Sequence, residues 1–132
     1  MFYNETERIL KDIDIMIEYL FIDDGSKDNS LKIIHKLADT DKRIHYISFS
    51  RNFGKEAAIY AGLKNAAGDY ITILDADLQD PPSLIPKMLD SVIEEGYDCV
   101  GTRRVNRKDI QCFSHDFSFF LLNNNRNFAL VV

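Results

Sequence analysis

Tyr70-Ile71-Thr72-Ile73-Leu74, running into Asp75-Ala76-Asp77-Leu78-Gln79-Asp80-Pro81-Pro82, is the stretch whose reading decides the fold of this chain. The apolar half is rich in β-branched and aromatic residues and follows Gly68-Asp69, the pattern of a short strand buried in a parallel sheet. With the chain still extended, the carboxylates of Asp75 and Asp77 project from one face, roughly 6–7 Å apart. That separation suits shared capture of a hard divalent cation, directly or through one water, with Gln79 as a third oxygen. Ligands of open α/β sheets bind beyond the carboxyl ends of the strands, where these groups fall. Read alone, the same residues also make an ordinary polar turn, with Asp80 capping a helix that opens on Pro81-Pro82.

A second acidic turn lies upstream. Glu18-Tyr-Leu-Phe-Ile22 reads as another short strand and ends in Asp23-Asp24-Gly25-Ser26. From Asp28 to Asp39 the apolar residues Leu31, Ile34, Leu37 and Ala38 have the spacing of a helix with one buried face. Gly25 permits a tight strand-to-helix turn, and Ser26 or Asp28 is suited to cap the helix. Acidic residues on such a turn can accept hydrogen bonds from a ribose hydroxyl or a base N–H. A good turn needs the same residue types, so this stretch alone leaves both readings open.

Two basic loops complete the pattern. Ser50-Arg51-Asn52-Phe53-Gly54-Lys55 joins a strand end to a helix start, and a helix N-terminus beside a cation is a natural anion site. Gly101-Thr102-Arg103-Arg104 follows the last expected strand, so the planar donor fork of Arg103 can reach a diphosphate at the same rim. Solvated surface charge explains each loop singly. The convergence of acidic pairs and cations on one edge is harder to assign to turn chemistry.

The rest of the chain alternates in the same way. Residues 5–14 are weakly helical, 18–23 a strand, 28–39 a helix and Arg43–Phe49 a strand. Phe53–Ala67 is an Ala-rich helix stopped by Gly68, 70–75 the acidic strand, 81–95 a helix ending at Gly96, and Tyr97–Gly101 one more strand. Such alternation predicts an α/β fold: a doubly wound, mostly parallel sheet covered by helices on both faces. Asn123-Asn-Asn-Arg-Asn127 is polar and is expected to fray.

Composition narrows the function. At 132 residues the chain is one domain, 45% hydrophobic and 28% charged, ordinary for a soluble globular protein. A net charge of −5 argues against nucleic acid as a partner, because backbone phosphates reward clustered positive charge. The small basic cluster Arg103, Arg104, Arg107 and Lys108 fits one diphosphate rather than a duplex. Cys99 and Cys112 lack metal-type spacing, and His35, His45 and His115 are scattered. The polar, acidic first residues lead to the expectation of no signal peptide, and no apolar run nears the roughly 20 residues of a membrane helix. The expectation is a cytoplasmic, reduced protein with no transmembrane segment in this chain.

Three of these stretches carry a resemblance. Phe-Ile-Asp-Asp-Gly-Ser-Lys-Asp-Asn-Ser (21–30), Ser-Arg-Asn-Phe-Gly-Lys-Glu-Ala-Ala (50–58) and Asp-Ala-Asp-Leu-Gln-Asp-Pro-Pro (75–82) resemble glycosyltransferase family 2, in the branch of dolichol-phosphate mannose synthases and bactoprenol glucosyltransferases. Tyr3-Asn4-Glu5 is similar to the end of that family's first-strand motif, and Gly101-x-Arg103 to its later Gly-x-Arg element. The resemblance covers about residues 3–108, with several motifs in the right order. It implies a GT-A fold, a UDP- or GDP-sugar donor, Mg2+ or Mn2+, inversion at the anomeric carbon and a polyprenyl phosphate or other glycan acceptor. Full-length relatives of this branch are expected at the inner face of the membrane.

Carried over residue by residue, the resemblance puts Asp24 on the nucleotide base with Asp23 beside it, and Tyr3 and Glu5 against the base and ribose. Asp75, Asp77 and Gln79 would surround the metal, with Ala76 in the same donor-binding turn. Arg51 and Lys55 would serve the diphosphate, and Arg103 the phosphate or the acceptor. A polyprenyl phosphate is already ionised at neutral pH, so no catalytic base is assigned.

The resemblance also divides the chain. Residues 1–108 read as the nucleotide-sugar-binding core and 109–132 as a divergent C-terminal tail of the same domain. Only Met1-Phe2-Tyr3 stands where the family has its first, central strand. A vacant slot between the strands ending at Asp23 and Asp75 would strand backbone groups, each costing about 1–3 kcal/mol when buried. Poor stability, or self-association through open sheet edges, is the expected result. A nonenzymatic remnant that at most binds nucleotide is therefore the alternative reading, with a receiver-like signalling domain behind it. The receiver reading wants a Lys, not Arg103, after a late strand.

Overall fold

The computed structural model describes residues 1–79, 81–101 and 127–132. Four strands, β1 (Met16–Asp23), β2 (Ile44–Ser48), β3 (Tyr70–Ile73) and β4 (Asn127–Val131), form one sheet in the order β2-β1-β4-β3. Every neighbouring pair is parallel. The side-chain period of two divides the strands between two cores. Tyr19, Phe21, Phe128 and Leu130 point to one face, and Leu20, Ala129 and Val131 to the other.

The helices follow from their apolar spacing. Helix α1 (Phe2–Leu10) buries Phe2, Thr6 and Leu10, four residues apart on one stripe. Helix α4 (Ile85–Ile93), entered through a short 3-10 turn at Pro82–Leu84, buries Ile85, Met88, Leu89 and Val92. Both pack on the first face, where α2 (Ser30–Thr40) adds Ile34 and Leu37. Helix α3 (Lys55–Asn65) covers the other face through Ile59 and Leu63. The doubly wound α/β arrangement expected from the sequence is present.

The central slot is not vacant. Tyr3, expected at the end of a strand, lies in α1, and β4 inserts between β1 and β3. Met16 pairs with Asn127 and Leu20 with Val131 on one side, and Tyr70 with Phe128 and Ile73 with Val131 on the other. The Val132 amide donates to the Leu20 carbonyl at 2.9 Å, and the Ile22 amide donates to the Val132 carbonyl at 2.6 Å. These residues belong to the stretch expected to be a divergent C-terminal tail, and only Asn127 to the tract expected to fray. Phe128-Ala-Leu-Val-Val132 is a run of strand formers, and burial on both faces supplies the stability that the preceding Asn-rich tract does not. The ground for expecting poor stability, unpaired backbone at the sheet centre, is thereby removed. The outer edges belong to β2 and β3 among the described strands.

A second correction concerns Tyr97–Gly101, expected as a strand, which forms none. The chain turns at Gly96 and Tyr97 stands exposed, leaving Val100 as the one apolar residue of the stretch packed against the core among the described residues.

Candidate functional site

The turn after β1 is built around Asp23. Its buried carboxylate accepts the Ser26 amide on Oδ1 at 3.2 Å and the Ser48 hydroxyl on Oδ2 at 2.9 Å. Asp23 thus ties the turn to the end of β2 and, though largely buried, still lines the groove between the two loops. Gly25 sits at φ 72°, and a Cβ there would lie 2.5 Å from the Arg51 carbonyl carbon. No other residue lets the two loops meet so closely. Between them runs a groove of about 560 Å3 lined by Ser26, Lys27, Ser50, Arg51 and Asn52 among others. The Arg51 guanidinium lies 4.9 Å from the centre of the Phe53 ring.

Asp24 faces the same loop. Its carboxylate accepts the Phe53 amide at 2.7 Å and the Gly54 amide at 3.0 Å, satisfying backbone donors just ahead of α3. From the first residue of α3, Lys55 Nζ reaches Asp75 Oδ2 at 2.9 Å, across the carboxyl edge of the sheet. The turn after β1, the loop into α3 and the turn after β3 are therefore bonded together at one rim.

The turn after β3 differs from an extended run. The strand ends at Ile73, and Asp77 Oδ1 accepts the Gln79 amide at 2.9 Å, closing a small turn. Asp75 and Asp77 are thus presented from a turn rather than from one face of a strand. Asp75 is half-buried, while Ala76, Asp77 and Gln79 are exposed. Leu78 between them has φ 63°, a strained left-handed conformation for a branched side chain, held by packing against the first core. Sequence gives no signal for it, since glycine or asparagine is the usual marker.

Glu5 and Tyr3 part company on α1. Glu5, with Asn4 and Arg8, lines a cavity of about 530 Å3 completed by Leu78, Pro81 and Pro82, beside the β3 turn. Arg8 pairs with Glu5 at 2.7 Å and holds its carboxyl below the usual range. The i, i+3 spacing of Glu5 and Arg8 is the signal by which Arg8 was findable in the sequence. Tyr3 turns to the opposite edge. Its hydroxyl donates to Asp41 Oδ2 at 2.6 Å, just ahead of β2, and its ring meets Tyr19 edge-on at 5.2 Å. Arg43 joins this cluster, bonding Asp41 and Glu7. Desolvation, then the bond to Asp41, pushes the Tyr3 phenol up to about 12. Arg43, foremost, holds Asp41 well below the usual carboxylate range. The placement of Tyr3 against a base is not what this geometry offers. Asp80, Arg103, Arg104, Arg107 and Lys108 lie outside the described residues.

The donor set at the β3 turn is all oxygen: two carboxylates and the Gln79 amide. No group of three or more His, Cys, Asp or Glu side chains converges among the described residues. The set fits a hard cation that completes its shell with diphosphate oxygens and water, the habit of Mg2+ at nucleotide sites. Asp75 already accepts one cation, the Lys55 ammonium.

Residues 2–128 match the family model for glycosyl transferase family 2. The chain belongs to that family. It is 42% identical over 118 residues to an undecaprenyl-phosphate 4-deoxy-4-formamido-L-arabinose transferase of Proteus mirabilis (strain HI4320), covering 81% of this chain and 36% of the relative. The Yersinia pestis (strain Pestoides F) protein of the same name is 50% identical over 93 residues, 70% of this chain and 28% of the relative. A putative glycosyltransferase, CsbB, of Bacillus subtilis (strain 168) is 45% identical over 108 residues, 82% and 32% respectively. The family 2 chain thus spans about a third of the length of these relatives. The family match continues past residue 108 to 128, into the strand that fills the sheet. No helix among the described residues is long and apolar enough to cross a membrane.

Proposed function

We propose that this chain is the donor-binding part of a transferase that moves a sugar from a nucleoside diphosphate to a polyprenyl phosphate. The observation that carries the reading is the Lys55–Asp75 ion pair, which closes the three ligand-facing turns onto one rim. The relatives named as undecaprenyl-phosphate sugar transferases support the acceptor class.

In this reading Asp75, Asp77 and Gln79 hold Mg2+ or Mn2+. The ion would supply charge neutralisation to the departing nucleoside diphosphate. Arg51 and Lys55, at the amino end of α3, add positive charge and a favourable dipole to the same diphosphate. Asp24 keeps the loop in place and has lone pairs left for a base or ribose donor, while Asp23 acts behind it. Glu5 is placed to face the nucleotide from the adjoining cavity. Arg103 keeps the phosphate or acceptor role that the resemblance gives it. The ionised acceptor oxygen attacks the anomeric carbon as the bond to the diphosphate breaks, so one displacement inverts that centre. No side chain is needed to remove a proton.

Calorimetry with UDP and GDP, with and without Mn2+, tests the reading. Binding that strengthens with Mn2+ and loses that gain in Asp77→Ala is expected. Equal binding after that substitution would remove the metal assignment.

A further inference from the structure

Lys55 holds a position that the donor-binding role alone does not explain. Its backbone is fixed at the first residue of α3, behind the Gly54 amide that Asp24 accepts. From there its ammonium crosses to Asp75 Oδ2 at 2.9 Å, with both side chains about half exposed. We propose that Lys55 sets the divalent-ion threshold of the site by competing for the Asp75 carboxylate. The inference rests on the reading of Asp75 and Asp77 as metal ligands.

The physical argument is one of shared occupancy. A divalent ion binds a carboxylate oxygen at roughly 2.1 Å, closer than an ammonium, and two cations on one carboxylate repel. The ion therefore loads more readily as Lys55 leaves. Lysine suits this task, being a compact charge on a flexible stem, whereas an arginine fork holds a carboxylate through two bonds. Without nucleotide the displaced ammonium gives up its ion pair for water. With a diphosphate present it gains a new anion within reach of the same helix start. Metal and nucleotide then favour each other's binding, and linkage makes the coupling equal in both directions.

The test is Mn2+ titration of the full chain, read by the resonance of free Mn2+, with and without GDP or UDP. Without nucleotide, Lys55→Met should bind Mn2+ about two- to fivefold more tightly, the range expected from removing an exposed ion pair. The gain should vanish in an Asp75→Asn background, and Lys55→Arg should show no gain. The coupling between Mn2+ and nucleotide should shrink in Lys55→Met. Thermal melts of each variant exclude misfolding, and Lys55→Gln serves as a second neutral substitution. Mn2+ affinity that is unchanged or weaker in both neutral variants overturns the inference while leaving the metal site standing. Mn2+ uptake indifferent to Asp77→Asn overturns the metal site itself, and this inference with it.

Discussion

Val131 lies directly over Gly62: a Cβ on that glycine would overlap Val131 Cγ1. The contact seats α3 against β4, and Gly68 makes a similar approach to the backbone nitrogen of Ala129. The two glycines differ in what must give way. At Gly62 an alanine gains about 1 kcal/mol of helix propensity, which offsets part of an overpacking cost of about 1–3 kcal/mol. At Gly68 the obstacle is backbone, and there is no such offset. Urea unfolding should therefore show Gly68→Ala more destabilised than Gly62→Ala. The reverse order would mean that β4 moves easily away from β3.

Phe128 is fully buried at the centre of the larger core. Truncation to alanine should cost about 3–5 kcal/mol, a large share of the stability of any domain this size. An equilibrium melt is the measurement. A loss below about 1 kcal/mol would show that residues 127–131 do not occupy the slot between β1 and β3.

Asp24→Ala leaves the amides of Phe53 and Gly54 without their acceptor and should loosen the loop carrying Arg51 and Lys55. Weaker nucleotide binding with only a modest fall in melting temperature is expected, because the loop is at the surface. Asp23→Ala should do the opposite, lowering stability by about 1–3 kcal/mol through the two part-buried hydrogen bonds to Ser26 and Ser48 that its carboxylate gives up. Swapped phenotypes would exchange the roles given to these neighbours.

The cluster at the amino edge makes a prediction on each side of neutral pH. Tyr3 has its folded value raised from 10.0 to about 12, so it contributes stability below pH 10 that fades as pH rises toward 12. Tyrosinate absorbance should show one phenol titrating near pH 12, absent in Tyr3→Phe. Asp41 is shifted the other way. Its contribution is present above the ordinary carboxylate value and is lost as pH falls below about 3.8. In Asp41→Asn the acid limb of the stability curve should flatten.

The sequence made β1, β2 and β3 legible because each is a short apolar run closed by turn residues. It pointed to the rim because acidic residues follow β1 and β3 while Arg51 and Lys55 follow β2. β4 was hidden by its position behind an Asn-rich tract and by its role, since only the sheet it enters makes a five-residue run stable. Tyr97–Gly101 misled in the opposite sense, having strand formers of which only Val100 packs against the core among the described residues. Tyr3 was misplaced because a motif does not fix helix rotation. With α1 starting at Phe2, Tyr3 and Glu7 share one side against β1 and β2, while Glu5 and Arg8 share another.

The order in which the strands are made sets a clock on folding. β1 and its partner β4 are separated by roughly 110 residues, about 5–20 s of ribosomal synthesis. Once β3 is made, roughly 54 residues before β4, β1 and β3 have no strand between them, and their facing edges stay open to water or to other chains. Pairings this remote in sequence are also slow to find once available, because loop closure is paid before contact rewards it. The sheet is thus closed at its centre only when residues 127–131 arrive.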